Sequence, residues 1–123
     1  MAQKLVIERF YWLPHCSTCV KAQQYLLGKG VEIQEYINIK AEKVPLKTLK
    51  ELCQWIGGTE ALFSKRAMKY RSLGLDKKVL SDEDMLNHMY EEYTFIKRPT
   101  LVTADKKVLA GFSAKQYDAL IGV

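Results

Sequence analysis

The amino-acid sequence predicts an α/β fold with a helical middle, and three patterns along the chain indicate it. The chain opens with a strand-like segment, a helical segment and a second strand-like segment. A long stretch of helical patterns follows, and two short apolar runs around Asp105 and Lys106 precede a last helical segment. A crossover helix between two adjacent strands implies parallel pairing, whereas the late apolar runs indicate an antiparallel hairpin.

The opening β-α-β unit is predicted from the spacing of the apolar residues. Residues 4–10 (KLVIERF) combine β-branched and aromatic side chains over the length of a strand. From Ser17 the apolar residues recur at helical spacing, and Gly28 and Gly30 end the run. Residues 31–39 (VEIQEYINI) then alternate between apolar and polar side chains, which is typical of a half-buried strand.

Three helices are predicted in the middle of the chain. The first covers residues 45–58 and starts with a proline and stops at two glycines, and Cys53 lies on its apolar stripe. A free cysteine in such a place is expected to be a small buried hydrophobe. The segment SKRAMKYRSLG, residues 64–74, predicts the second helix. The third begins at Ser81, with Asp84 three residues later in a variant of the capping box.

The end of the chain predicts a hairpin and a closing helix. The segment TLVTADKKVLAGF contains two short apolar runs, residues 100–103 and 107–110, on either side of a polar turn. Runs of this length around a turn are typical of two antiparallel strands. The last helix is expected from Ser113 to about Ile121.

Length and composition restrict the class of protein. A chain of 123 residues is expected to form one domain, residues 1–123, with a core of its own. The N-terminal residues MAQKLVIERFYWL contain Glu8 and Arg9 among the apolar side chains, so we expect no signal peptide. No apolar run reaches the length of about 18 residues that a membrane span needs. We therefore expect a soluble, cytoplasmic protein without membrane contact.

The chain is basic, with 19 lysines and arginines against 14 acidic residues and a net charge of +5. The densest basic stretch is SKRAMKYR, residues 64–71, and the other charges are spread along the chain. A modest excess of this kind is typical of a solvated surface. We expect no direct contact with nucleic acid.

Two of the three cysteines, Cys16 and Cys19, form a C-x-x-C motif between the first strand and the first helix. Such a pair can bind a metal, close a structural bridge or perform redox chemistry. An odd cysteine count in a chain that is not secreted argues against a disulfide framework. A zinc site normally needs four N or S ligands, and only Cys53, His15 and His88 remain as further candidates. We therefore expect no metal site, and redox chemistry is the favoured interpretation.

Position along the first helix predicts different roles for the two thiols. Cys16 is expected at the N-terminal edge, where unpaired N–H groups and the helix dipole stabilise a thiolate. Cys19 follows one turn later. Cys16 can then act as the nucleophile, and Cys19 can resolve the resulting mixed disulfide by forming an intramolecular one.

A second motif is KRPT, residues 97–100, directly before the third predicted strand. Because proline cannot donate to a strand ladder, Pro99 is expected at an edge or in a cis turn. In thioredoxin-like folds a cis proline at this place faces the active cysteine. With the order of elements given above, the sequence is similar to thioredoxin-like proteins.

The combination of HCSTC, SKRAMKYR, RPTLV and Gly111 after the hairpin resembles the arsenate reductase (ArsC)/Spx family over almost the whole chain. This resemblance implies a thioredoxin-like domain with a helical insertion at about 40–95, a nucleophile at Cys16 and a cis Arg98–Pro99 peptide bond. Arsenate-reducing members hold an oxyanion with three arginines. Arg66 and Arg98 match the first two, but Phe112 follows the glycine where the third is expected.

Two functions of different classes remain open from the sequence. The first is a thiol oxidoreductase that uses Cys16 and Cys19, in which Arg66 and Arg98, beside Pro99, bind a small thiol or an oxyanion. Under this hypothesis no cofactor is bound, glutathione is the co-substrate and glutaredoxin a partner. The second is an Spx-like, redox-sensing regulator that binds the RNA polymerase α subunit, for which Gly58 is a loose match to the glycine that the Spx branch uses. We favour the first hypothesis and expect little arsenate reduction.

Overall fold

The computed structural model describes residues 5–122, and Lys4, which we assigned to the first strand, lies outside this range. The residues group into two compact units. The first unit contains the residues up to Glu42 and those from Arg98 onward, and the second is Lys43–Lys97. The second unit nearly coincides with the insertion that the family resemblance implies. The organisation as one domain stays a prediction.

A mixed sheet forms the centre of the first unit. Strand β1 (Val6–Trp12) pairs in parallel with β2 (Glu32–Ile33) and β3 (Tyr36–Asn38), and on its other side it pairs antiparallel with β4 (Thr100–Thr103). Strand β5 (Val108–Ala110) pairs antiparallel with β4. The parallel β-α-β unit and the late hairpin are therefore confirmed.

The predicted second strand is divided into β2 and β3. Between them Gln34 donates its N–H to the carbonyl of Ile7 at 2.8 Å, and Glu35 accepts from the N–H of Phe10 at 2.8 Å. The backbone bonds to β1 thus continue across the division. The alternating pattern of residues 31–39 correctly predicted a strand that follows β1, although it is not continuous.

Helix α1 (Ser17–Gly28) follows β1 and buries a stripe of Cys19, Ala22 and Leu26. Helix α6 (Ala114–Ile121) closes the chain and contributes the fully buried Tyr117. The core of the first unit combines these two helices with the sheet; its buried members are Ile7, Phe10, Ala22, Leu26, Val31, Leu101 and Tyr117. Each large apolar side chain buried there stabilises the fold by about 1.5–3 kcal/mol.

The second unit is helical. Its helices are α2 (Leu46–Ile56), α3 (Thr59–Leu62), α4 (Met68–Ser72) and α5 (Asp82–Glu91), with 3₁₀ turns at Leu75–Lys77 and Tyr93–Phe95. Its core contains Leu49, Leu52, Cys53, Leu62, Phe63, Met85, Met89, Phe95 and Ile96. Cys53 is only 5% exposed, so its prediction as a buried core residue is confirmed.

Two helix boundaries in the second unit show how local chemistry acts. Helix α4 is shorter than the predicted 64–74, because residues 65–66 form a turn, Ala67 lies in a bend and Gly74 adopts a φ of +71°. Helix α5 begins with a complete capping box. Ser81 Oγ accepts from the N–H of Asp84 at 3.1 Å, and Asp84 Oδ2 accepts from the N–H of Ser81 at 3.0 Å.

Within residues 5–122, no helix is both long enough and apolar enough to cross a membrane.

Candidate thiol redox site

Cys16 is the residue that begins α1. It occupies the N-cap position, with φ −83° and ψ 119°, and its carbonyl accepts the N–H of Val20 at 3.0 Å. Its own N–H donates to the carbonyl of Leu13 at 3.1 Å, which closes the turn after β1. The side chain is partly exposed. The end of β1 and the first turn of α1 therefore hold the Cys16 thiol where a second molecule can reach it.

The surroundings of Cys16 favour its thiolate. Partial burial opposes ionisation, but this effect is outweighed by the nearby backbone N–H and thiol of Cys19, the N–H of Thr18 and the positive charge of Arg98. The pKa of Cys16 therefore lies below its ordinary value. The N–H groups of Thr18 and Cys19 belong to the first turn of α1, where unpaired N–H groups stabilise a negative charge.

Cys19 lies in the opposite environment, although it is one turn away. It is 0% exposed, and burial raises the pKa of its thiol to about 12, with a further increase from the neighbouring Cys16. A contact with the Leu13 backbone and the charge of Arg98 oppose this increase in part. The two thiols lie close enough to act on each other's ionisation, and Cys16 ionises first.

Arg98 and Pro99 belong to the first unit and precede β4. The Arg98–Pro99 peptide bond is cis, which confirms what the family resemblance implies. Pro99 is buried, and its carbonyl accepts the N–H of Gly111 at 2.7 Å. Arg98 is half-buried. Its positive charge lowers the pKa of both thiols, which indicates that it lies near them. The structure thus brings together Cys16, Cys19 and Arg98.

Arg66 lies in the second unit, in the turn before α4, and its side chain is exposed. Its N–H donates to Ser64 Oγ at 3.4 Å. Its role in binding an anion stays a prediction. Within residues 5–122, no group of three or more His, Cys, Asp or Glu side chains is arranged to hold a metal ion.

Phe112 takes part in an aromatic cluster with Tyr25 and Tyr117. Its ring centroid lies 5.5 Å from that of Tyr25 and 5.0 Å from that of Tyr117. The Tyr117 hydroxyl donates to the carbonyl of Gly111 at 3.2 Å. The sequence alone indicates only a core position for Tyr117, because it is an aromatic residue on the predicted last helix.

The model of the ArsC family matches residues 11–120. The chain belongs to the ArsC family. It is 37% identical over 112 residues to the uncharacterized protein YusI of Bacillus subtilis, across 89% of this chain and 93% of YusI. It is 25% identical over 104 residues to the global transcriptional regulator Spx of Lactiplantibacillus plantarum, across 84% of this chain and 77% of that regulator.

Among solved structures, SACOL0876 from Staphylococcus aureus COL is 31% identical and superimposes with a TM-score of 0.77. The match covers 90% of this chain and 95% of that protein. The thioredoxin-like α/β fold of this ArsC family member is therefore confirmed.

Proposed function

We propose that this ArsC family member is a thiol–disulfide reductase in which Cys16 is the nucleophile and Cys19 the resolving thiol. One observation carries the proposal: two adjacent thiols differ in exposure and acidity in the way that such a reaction requires. The thiolate is the attacking species in thiol–disulfide exchange, and Cys16 forms it more readily.

The proposed reaction has two exchange steps. In the first, the Cys16 thiolate attacks one sulfur of a substrate disulfide, the disulfide bond breaks, and the other sulfur leaves as a thiolate that takes up a proton. In the second, Cys19 loses its proton, attacks the Cys16 sulfur and releases the remaining substrate thiol. The substrate disulfide gains two electrons, and the protein is oxidised to the Cys16–Cys19 disulfide. Two external thiols of the glutathione class then reduce the protein disulfide and are themselves oxidised to a disulfide.

The order of ionisation supports this sequence. Before reaction, the neighbouring Cys16 contributes to the high pKa of Cys19. When Cys16 enters a mixed disulfide it no longer carries a negative charge, so this contribution disappears, whereas the charge of Arg98 still favours the Cys19 thiolate. Cys19 is thus more acidic at the step in which it must attack.

Arg98 is the proposed contact for an anionic substrate group, such as a carboxylate of glutathione, because a guanidinium binds carboxylates through charge-assisted hydrogen bonds. The family resemblance gives Arg66 the same role. Glutathione as co-substrate and glutaredoxin as partner belong to this proposal.

The test is to incubate the reduced protein with glutathione disulfide and to measure intact mass and free thiols. We expect the wild type to form the internal disulfide, and Cys19→Ser to accumulate a glutathione adduct at Cys16. Cys16→Ser should form neither, while the control Cys53→Ser should behave as the wild type. Adducts that form equally well in Cys16→Ser would contradict the assignment.

A second candidate function is a redox-sensing regulator that binds the RNA polymerase α subunit. Two observations favour it: the similarity to Spx, and a groove of about 450 Å³ in the second unit that contains Gly58. The groove lies among α2, α3 and α5; its lining is Lys50, Cys53, Gln54, Gly57, Gly58, Thr59, Asp82 and Leu86.

A binding assay with the purified C-terminal domain of the polymerase α subunit tests this candidate. Lys50→Glu reverses a charge inside the groove, and Lys47→Glu makes the same change on an exposed residue of α2 that does not line it. Binding by the wild type that Lys50→Glu alone weakens would support the regulator. Absence of binding by the wild type would contradict it.

A further inference from the structure

Tyr117 packs against α1, the helix that carries the thiol pair. Its side chain is 0% exposed, in the same core cluster as Ala22 and Leu26 of α1. These two residues continue the buried stripe that begins with Cys19. Burial raises the pKa of the Tyr117 phenol, and a negative charge on Cys19 would raise it further, so the phenol and the resolving thiol are near each other.

The Tyr117 hydroxyl also connects to the segment that carries Arg98. It donates to the carbonyl of Gly111 at 3.2 Å, and the N–H of the same glycine donates to the carbonyl of Pro99 at 2.7 Å. Gly111 has a φ of +81°, a backbone conformation that residues with a Cβ rarely adopt. Two successive hydrogen bonds thus link α6 to the residue that directly follows Arg98.

We propose that Tyr117 is a positioning residue for the thiol pair: its hydroxyl holds the Gly111–Pro99 segment, and thereby Arg98, next to Cys16 and Cys19. The proposal rests on the proposed function, because it concerns the thiolate that begins the exchange. The ring alone would fill the core equally well as phenylalanine. The hydroxyl, however, donates to Gly111, and Gly111 donates to Pro99, which directly follows Arg98.

The groups that act on Cys16 define what the experiment must separate. Cys19 and the N–H of Thr18 act from the same helix, and Arg98 acts from the segment before β4. His15 is the adjacent residue in the chain and is exposed. Loss of the Tyr117 hydroxyl leaves the helix groups in place, so it should change the contribution of Arg98.

The experiment measures the rate of alkylation of Cys16 by iodoacetamide as a function of pH in Tyr117→Phe. We expect the profile to move to higher pH, with labelling about twofold slower below its midpoint, which corresponds to about 0.3 pH unit. A role in packing alone would change stability and leave this profile in place. Adding Tyr117→Phe to an Arg98→Gln background should have no further effect, because the tyrosine acts through Arg98.

Tyr25→Phe is the matched control. Tyr25 also bonds through its hydroxyl, to Asp118, and its ring centroid lies 6.3 Å from that of Tyr117. It does not, however, donate to Gly111. The same loss of one hydroxyl should therefore leave the alkylation profile of Cys16 unchanged.

A measurement on the wild type covers the case in which Tyr117→Phe fails to fold. If the hydroxyl favours the Cys16 thiolate, ionisation of Cys16 must in turn favour the hydroxyl contact. In protein labelled with ¹³C at tyrosine Cζ, the Tyr117 signal should move with the Cys16 titration while that of Tyr25 stays in place. A Tyr117 signal that does not respond, or an unchanged alkylation profile in a folded Tyr117→Phe, would overturn the inference.

The two levels of the proposal fail in different ways. If Cys16 is not the first thiol labelled in the wild type, the assignment of the nucleophile is wrong. If the wild type labels as proposed and only the tyrosine variant lacks an effect, the positioning role alone is wrong.

Discussion

Cys16 and Cys19 are separated by one helical turn, and the backbone N–H of Cys19 helps to stabilise the Cys16 thiolate. The same residue therefore lowers the pKa of the nucleophile and supplies the thiol that later attacks it. This arrangement follows from the C-x-x-C spacing at a helix start, because the side chain of an N-cap residue lies beside the N–H groups two and three residues later.

The first prediction concerns Arg98. Replacing it with glutamine removes a positive charge that lowers the pKa of Cys16, so the alkylation profile should move to higher pH by about 0.5–1 unit. Since a lowered pKa supplies thiolate at neutral pH, labelling at pH 6–7 should slow by about threefold to tenfold, as the pKa scale requires. The pH dependence of iodoacetamide labelling, followed by peptide mass spectrometry, measures the shift.

Arg98→Lys is the matched variant for this prediction. It keeps the charge and removes the planar guanidinium, so it should retain most of the acidity of Cys16 while weakening the binding of a carboxylate substrate. An Arg98→Gln profile that coincides with that of the wild type would show that the charge does not act on Cys16.

The second prediction concerns the stability of the reduced protein at alkaline pH. The pKa of Cys19 is raised to about 12 by burial, so the folded protein keeps this proton after the unfolded chain has lost it. The resulting stabilisation is complete below the unfolded pKa and is lost as the pH rises toward the folded one. The free energy of unfolding in urea should therefore fall with increasing pH above the ordinary thiol pKa.

Cys19→Ala should make this decline shallower, whereas Cys53 and Tyr117, whose pKa values are also raised, preserve part of it. Cys16 has the opposite sign, because its pKa is lowered in the fold. Its stabilisation is present above the unfolded pKa and is lost as the pH falls through the folded pKa. A decline that is equally steep in Cys19→Ala would argue against the buried, protonated thiol.

The fold and the thiol pair could be predicted because local patterns determine them. The C-x-x-C motif between a strand and a helix predicts Cys16 at the helix start from local sequence alone. Gly28 is the last residue of that helix, as expected for a residue with low helix propensity. The capping box at Ser81 is equally local, since both of its hydrogen bonds join residues three positions apart.

The linkage of Tyr117 to the site could not be predicted, because it depends on contacts between distant parts of the chain. The hydroxyl reaches Gly111, and that glycine reaches Pro99 across the hairpin. The spacing of apolar residues along the sequence does not indicate such a connection. The short α3 was missed for a related reason: four residues between Gly58 and Phe63 are too few to show a helical period.

The third prediction concerns the capping box of α5. Ser81→Ala removes the acceptor for the N–H of Asp84 and should lower the free energy of unfolding by about 1 kcal/mol. The backbone and hydroxyl of Ser81 lower the pKa of Asp84, so the contribution of its carboxylate is present above the unfolded pKa and lost as the pH falls through the folded one. Urea unfolding at neutral and acidic pH measures both effects.

Ser72→Ala is the control for this prediction, because Ser72 is an exposed residue in α4. It should change stability by less than about 0.5 kcal/mol. An equal loss in both variants would mean that the Ser81 hydroxyl does not cap the helix in solution.

The fourth prediction is that this protein reduces arsenate poorly, although it belongs to the ArsC family. Phe112 stands where the resemblance expects a third oxyanion-binding arginine, and its ring packs against Tyr25 and Tyr117. Loss of one charge-assisted contact costs about 1.5–3 kcal/mol, and the two arginines that the resemblance assigns, Arg66 and Arg98, would alone have to hold a dianion close to a thiolate of the same sign.

Cys19 adds a competing reaction, because it can capture an oxidised Cys16 before an external thiol does. With glutathione and glutaredoxin as reductants, we expect weak or undetectable formation of arsenite, while a mild oxidant readily produces the Cys16–Cys19 disulfide. Phe112→Arg, compared with Phe112→Leu as the variant that only reduces the ring, tests whether the missing charge limits arsenate binding. Robust arsenate reduction that survives Cys19→Ser would contradict the prediction, since it would require another basic residue to supply the third contact.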